Sequence, residues 1–213
     1  MNLPNKITMV RIFLAVIVLV LLMFPFSSVG IDIPGYTVGT NVTISLNYII
    51  AGIIFIIASI TDFVDGNIAR KNNLVTDFID GNIARKNNLV TDFGKVMDAI
   101  ADKVLVNGVL IIFAYNGNIP LVIPVVIILR DTIVDSIKMV AGSKGNVVAA
   151  SIWGKIKTIC MMVGLCLTFF SNLPFELFGL RLDYILLIIA TILSIYSGIQ
   201  YFMVNKEFFL EDK

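Results

Sequence analysis

Six stretches of the chain stay apolar for roughly the thickness of a bilayer, and polar or glycine-bearing segments separate them. They cover about residues 9–28, 46–61, 95–115, 119–139, 152–171 and 182–203, each near the ~20 residues that cross a hydrocarbon core as helix. Ahead of the first, MNLPNKITMVR is polar with apolar positions at Leu3, Ile7 and Val10, and Pro4 stands where a helix start accepts proline. This predicts a short helix at the membrane surface running into the first span. Lys6 and Arg11 before an apolar run resemble a signal peptide, but the run is too long and no small-x-small cleavage site follows, so it is expected to be retained. Residues 29–46 (VGIDIPGYTVGTNVTISL) contain Gly, Pro, Thr and Asn and no basic residue, as an outside loop would. SNLPFELFGLR reads as the loop before the last span.

Composition turns six apolar stretches into a fold class. Of 213 residues, 58% are hydrophobic and 15% charged, with mean hydropathy +0.94, whereas a soluble domain carries about a quarter charged residues. The expectation is an all-α polytopic membrane protein with six transmembrane helices and a short N-terminal interfacial helix, one domain over 1–213. Lys6 and Arg11, the 70–95 and 138–157 segments, and the tail with Lys206 and Lys213 fall on one side, and Arg181 falls on the other. The positive-inside rule then places both termini, the acidic stretch and the 138–157 loop in the cytoplasm. Histidine is absent, which removes histidine nucleophiles and bases and most zinc sites, and with them lipid synthases of the phospholipase-D type. Cys160 and Cys166 share one apolar run and read as small core or lipid-facing residues.

Between the second and third stretches the chain becomes acidic and repeats itself. Asp62 to Thr76 (DFVDGNIARKNNLVT) recurs as Asp77 to Thr91 (DFIDGNIARKNNLVT), with Val64 replaced by Ile79 as the only change. A second cadence follows, Gly94-x3-Asp98-x3-Asp102. Helical positions i and i+3 or i+4 share a face, so Asp62/Asp65, Asp77/Asp80 and Asp98/Asp102 each present two carboxylates together. Carboxylates beside lipid are costly and call for a cation. All-oxygen ligation without Cys or His suits a hard ion, Mg²⁺ or Mn²⁺, which could neutralise a pyrophosphate. Gly66 or Gly81 lets a ligand approach the backbone, Ala69 or Ala84 keeps that face clear, and Arg70 or Arg85 can grip phosphate oxygens. Asp92, Lys71, Lys86 and the asparagines of the repeat read as solvated helix ends and loop.

Asp-x2-Asp-Gly-x2-Ala-Arg followed by Gly-x3-Asp-x3-Asp resembles the signature of the CDP-alcohol phosphatidyltransferases, and the resemblance covers essentially the whole chain. It implies a six-helix membrane enzyme, generally dimeric and dependent on Mg²⁺ or Mn²⁺, that moves a phosphatidyl group from CDP-diacylglycerol to an alcohol and releases CMP. NLPNKITMVR, NLVTDFGKVMDAIADKVLV and AASIWGKIKT are most similar to bacterial members that make phosphatidylglycerophosphate, whose acceptor is sn-glycerol 3-phosphate. By that similarity the two aspartates of the first half and Asp98 hold metal, and Asp102 is a metal neighbour and the general base on the acceptor hydroxyl.

The repeat departs from the family pattern. The family leaves about eight residues between its Ala-Arg and the next glycine; Arg85 to Gly94 keeps that spacing, and Arg70 to Gly94 carries fifteen more. Spacing therefore selects Asp77, Asp80, Gly81, Ala84 and Arg85. Depth selects the other copy. Fifteen residues of helix rise about 22 Å and leave a rotation of about 60°, so the copies cannot share one site. The apolar run Leu46–Thr61 delivers Asp62 to the interface, whereas lengthening the following loop costs only about 0.6 kcal/mol per doubling. The site is accordingly expected on Asp62, Asp65, Gly66, Ala69 and Arg70, with Lys71–Phe93 as loop.

Arg130, Lys138, Lys144, Lys155 and Lys157 gather near the cytoplasmic ends of the fourth and fifth spans. Arg130 lies inside an apolar run and needs an anionic partner. The resemblance implies that Arg130 and Lys138, with Lys155, bind the phosphate of the acceptor. The family often has Arg-Glu where this chain has Arg130-Asp131 and arginine where it has Lys138, a point charge without the guanidinium fork. Three other readings stand beside this one: a sibling enzyme using serine or inositol phosphate, an inactive duplicated scaffold, and a divalent-cation transporter. The last requires acids along a path between leaflets, and here the central carboxylates fall on one side.

Overall fold

The computed structural model describes residues 3–38, 42–76, 92–143 and 151–206. Six helices fall on the six apolar stretches: α1 (Leu3–Met23), α2 (Leu46–Thr76), α3 (Asp92–Tyr115), α4 (Val122–Ser143), α5 (Ile152–Phe169) and α6 (Leu182–Val204). The expected surface helix and first span form one continuous α1, with Pro4 in its first turn. That helix ends at Met23, short of the expected 28. Pro25 has no N–H to donate and disfavours helical geometry at Phe24, and a 3₁₀ turn at Phe26–Val29 closes on Gly30 at φ +76°. The expected outside loop instead contains a two-stranded hairpin, β1 (Gly35–Val38) and β2 (Val42–Ser45). Thr37, Val38, Val42, Thr43 and Ile44 are the β-branched residues that favour it. Lys71–Thr76, expected in loop, continues α2, because Ala69 to Thr76 contains no glycine or proline to stop a helix.

The chain divides into two compact units, Met1–Thr37 with Thr43–Ile112, and Val38–Val42 with Phe113–Lys213. In the first, α1 packs along α2. Thr8, Arg11, Ala15, Val18 and Leu22 form the buried stripe of α1, at the three- and four-residue spacing of one helix face. Asn47 Nδ2 donates to the Leu21 carbonyl at 3.3 Å and ties the start of α2 to the end of α1. Gly108 lets α3 approach Leu19 so closely that an added Cβ would lie 2.5 Å from its Cδ2.

In the second unit α6 packs against both α5 and α4. Gly164 admits Leu187, whose Cγ would stand 2.9 Å from a Cβ there, and Phe113 meets Phe169 edge to face at 4.8 Å. Beside its apolar core this unit buries several polar side chains and exposes large aliphatic ones. Thr168, Asn172, Asp183, Ser194 and Ser197 are buried, whereas Ile192 and Ile199 are 60% and 56% exposed. Thr132, Ser136, Thr158 and Thr191 return their hydroxyls to the carbonyl four residues back, so none needs water. Among the described residues, α5 and α6 are long and apolar enough to cross a membrane, and Thr8–Met23 and Leu46–Thr61 are shorter apolar helices.

Candidate functional site

The acidic residues lie on helices of the first unit. α2 runs unbroken from its apolar half through the first copy of the repeat, so Asp62, Asp65, Gly66, Ala69 and Arg70 are all helical. Steps of three, four, seven and eight residues place them on one face. Asp98 and Asp102 stand one turn apart on α3. The side chains of Asp62, Asp65 and Asp98 are outside the described residues, as are Asp77, Asp80, Gly81, Ala84 and Arg85 altogether. Asp102 is half-buried beside the fully buried Ala101. Among the described residues no three acidic, cysteine or histidine side chains group together.

The basic residues gather in the second unit. Arg130, 13% exposed, donates through Nη1 to Asp131 Oδ1 at 2.9 Å and through Nη2 to Ser197 Oγ at 2.9 Å. Ser197 Oγ in turn donates to the Ser194 carbonyl at 3.2 Å. Arg130 Nε is buried and makes no hydrogen bond. Lys157, 4% exposed, donates to both oxygens of Asp131 at 2.8 and 2.9 Å. The guanidinium of Arg130 and the ammonium of Lys138 each lie 5.7 Å from the centre of the Tyr201 ring. The Tyr201 hydroxyl accepts the backbone N–H of Ser151 at 3.0 Å, and Ser151 Oγ donates to Gln200 Oε1 at 2.8 Å. Lys155 is exposed.

Sequence reasoning placed Arg130 in apolar surroundings and assigned it an anionic partner, and Asp131 supplies one. The α6 side of the cluster was missed. Its signal was present, since Ser194, Ser197, Gly198 and Tyr201 interrupt an isoleucine-rich helix at three- and four-residue steps. Arg11 reads from the sequence as an orientation charge and as part of a signal-peptide-like start, yet it is 1% exposed. Among the described residues, Arg130, Lys138 and Lys157 group about Asp131 and Tyr201, and Arg130 keeps one buried donor without a hydrogen bond. That combination suits a multiply charged oxyanion, because charge-assisted hydrogen bonds to phosphate are the strong ones.

The chain matches a family model described as CDP-alcohol phosphatidyltransferase over residues 1–78 and 73–196. The first match contains the whole of copy one and the second the whole of copy two, so both copies fit the family signature. It is 37% identical over 206 residues to the CDP-diacylglycerol–glycerol-3-phosphate 3-phosphatidyltransferase of Bacillus subtilis, covering 97% of this chain and 96% of the relative. The Mycoplasma genitalium protein of the same name is 32% identical over 94% of this chain and 82% of its own length. The one from Rickettsia bellii is 31% identical over 98% of this chain and 97% of the relative. With the signature present, the helices in place and nearly the full length aligned, this chain belongs to the CDP-alcohol phosphatidyltransferase family.

Proposed function

We propose that this protein transfers the phosphatidyl group of CDP-diacylglycerol to sn-glycerol 3-phosphate, giving phosphatidylglycerophosphate and CMP. The observation that carries the choice of acceptor is the cluster around Arg130. A dianionic phosphate accounts for convergent cations with an unused buried donor better than a neutral alcohol such as serine does. Family membership and the names of the aligned relatives support the reaction itself.

Members of this family generally use divalent metal ions, and the paired aspartates on α2 and α3 are the all-oxygen donors that Mg²⁺ or Mn²⁺ prefers. Asp62, Asp65, Asp98 and Asp102 would hold it, and when bound it would neutralise the pyrophosphate and polarise the phosphorus. Gly66, Ala69 and Arg70 border and grip the nucleotide end of CDP-diacylglycerol. Arg130, Lys138 and Lys155 bind the acceptor's phosphate, and Lys157 holds Asp131 beside Arg130. Asp102 takes the proton from the 1-hydroxyl of glycerol 3-phosphate as that oxygen attacks the β-phosphorus. The bond to the CMP oxygen breaks, and CMP leaves with the electron pair. Positioning and charge neutralisation supply most of the acceleration, as in phosphoryl transfer generally.

The enzyme is a single domain over 1–213 that crosses the bacterial cytoplasmic membrane six times, with both termini and the site in the cytoplasm, and it works as a homodimer. The buried hydroxyls and exposed isoleucines of the second unit support a lipid surrounding. In purified protein, CMP release from CDP-diacylglycerol should require both glycerol 3-phosphate and a divalent ion. Release that proceeds equally well with serine or inositol phosphate would favour the sibling reading, and no release at all the scaffold. Asp65→Ala should abolish turnover while Asp80→Ala spares it; the reverse result moves the site to the second copy.

A further inference from the structure

We propose that Tyr201 is a positioning residue for the acceptor, its ring gathering the charges of both Arg130 and Lys138 toward the acceptor's phosphate. This rests on the acceptor site proposed above and deepens it. Arg130 and Lys138 are eight residues apart on α4, so their backbones are separated by about 12 Å along the axis. Two long cations so placed would extend away from each other by mutual repulsion. Instead both charges lie 5.7 Å from the centre of one ring. That is within the ~6 Å over which an aromatic face attracts a cation. Tyr201 is 6% exposed, and a desolvated ring makes such contacts stronger.

Neighbouring atoms fix the ring and its cations in turn. The Tyr201 hydroxyl accepts from the Ser151 N–H and tethers the start of α5, the helix that carries Lys157 to Asp131. Gly198, three residues back on the same face of α6, leaves room for the aliphatic stem of Arg130. The phenol therefore has two separable functions. The ring gathers cations, and the hydroxyl anchors α5. Leucine removes both, whereas phenylalanine removes only the second.

The test is steady-state kinetics of the full-length protein in detergent–lipid micelles, with each substrate varied in turn. Tyr201→Leu should raise the KM for glycerol 3-phosphate about tenfold, the loss of one to two cation–ring contacts. The KM for CDP-diacylglycerol should stay within about twofold, and Tyr201→Phe should remain within about threefold of the parent for both substrates. Tyr201→Met replaces the leucine variant if that one fails to fold. An acceptor KM unchanged in the ring-deleted variant overturns the inference. So does a rise shared equally by both substrates, or a phenylalanine variant as impaired as the leucine one, since the hydroxyl would then be responsible. Arg130→Ala is the control on the underlying reading. If it leaves the acceptor KM unchanged, the acceptor site itself is misplaced; if it raises that KM and Tyr201→Leu does not, only the role of Tyr201 fails.

Discussion

The α5–α6 pair is polar at both ends, and the two ends are built on opposite principles. At the turn between the helices, Asn172 donates from Nδ2 to Glu176 Oε2 at 2.9 Å and to the Leu180 carbonyl at 2.7 Å, and its Oδ1 accepts the Asp183 N–H at 3.1 Å. Arg181 covers Asp183 from Nε and Nη2 at 3.2 and 3.3 Å. Two cationic donors meet two carboxylate oxygens, and the amide of Asn172 is used on both sides. At the other end, among the described residues, Arg130 retains a buried Nε without an acceptor, and Arg130 and Lys157 share the one carboxylate of Asp131. A buried polar group is costly unless it is satisfied. A cluster whose buried donors are all satisfied is therefore part of the fold, and one that leaves a buried cationic donor without an acceptor suits an anion.

Substitutions at the two ends should separate stability from substrate use. The largest effect is expected at the turn. Asn172 is 2% exposed with φ +59°, a left-handed backbone that asparagine tolerates better than alanine does. Asn172→Ala adds that strain to three lost hydrogen bonds, so thermal unfolding in detergent should report a loss of about 2–4 kcal/mol. The KM values of the molecules that remain folded should not change. A rise confined to the acceptor KM would mean that the turn also serves the site, and the contrast between the ends would collapse.

Gly198→Ala should do the opposite, by a smaller margin. A Cβ there would lie 3.0 Å from Arg130 Cγ, tight enough to move the side chain by a few tenths of an ångström. Alanine also favours the helix over glycine by about 1 kcal/mol. Unfolding should therefore move upward or hold, while the acceptor KM rises by roughly threefold to tenfold, a shift of about 1 kcal/mol. A fall in stability with unchanged kinetics would show that the stem of Arg130 has room to spare and that its guanidinium position is not set by α6.

How much of this was legible in the sequence differs between backbone and side chains. Six apolar runs separated by breakers gave six helices, because burying the backbone in an apolar surrounding leaves few alternatives. The end of α1 was legible too, at Pro25, but length alone was allowed to decide it. Lys155 and Lys157 show what spacing can and cannot settle. Two residues turn a helix by about 200°, so one of them had to face inward if the other faced out. Lys157 continues the buried stripe of Met161, Gly164 and Thr168, a register visible in the sequence that was not used. The Arg130–Ser197 bond spans 67 positions, and no local pattern pairs residues that far apart. The tandem copies are a different case. Deleting either one leaves a chain that differs only by Val64 or Ile79, so each is locally as good a signature as the other.

The smallest expected effect is at Arg181, and it shows where charge fails to matter. Its guanidinium pKa is raised, first by the hydrogen bond to Asp183; burial opposes this as the next largest effect, and the charges of Asp183, Glu176 and Tyr184 add to the rise. A cation whose pKa is raised on folding contributes stability that is complete below its unfolded value and lost only as the pH climbs through the folded one. For arginine that window lies above ~12, so the contribution should be level from about pH 6 to about pH 9. The side chain is 54% exposed, and solvent screens much of the pair. Arg181→Gln should therefore cost about 1 kcal/mol or less in thermal unfolding, equally at both pH values, with the acceptor KM unaltered. A loss of several kcal/mol would identify the turn as a cluster that depends on one cation, no more self-sufficient than the cluster around Arg130.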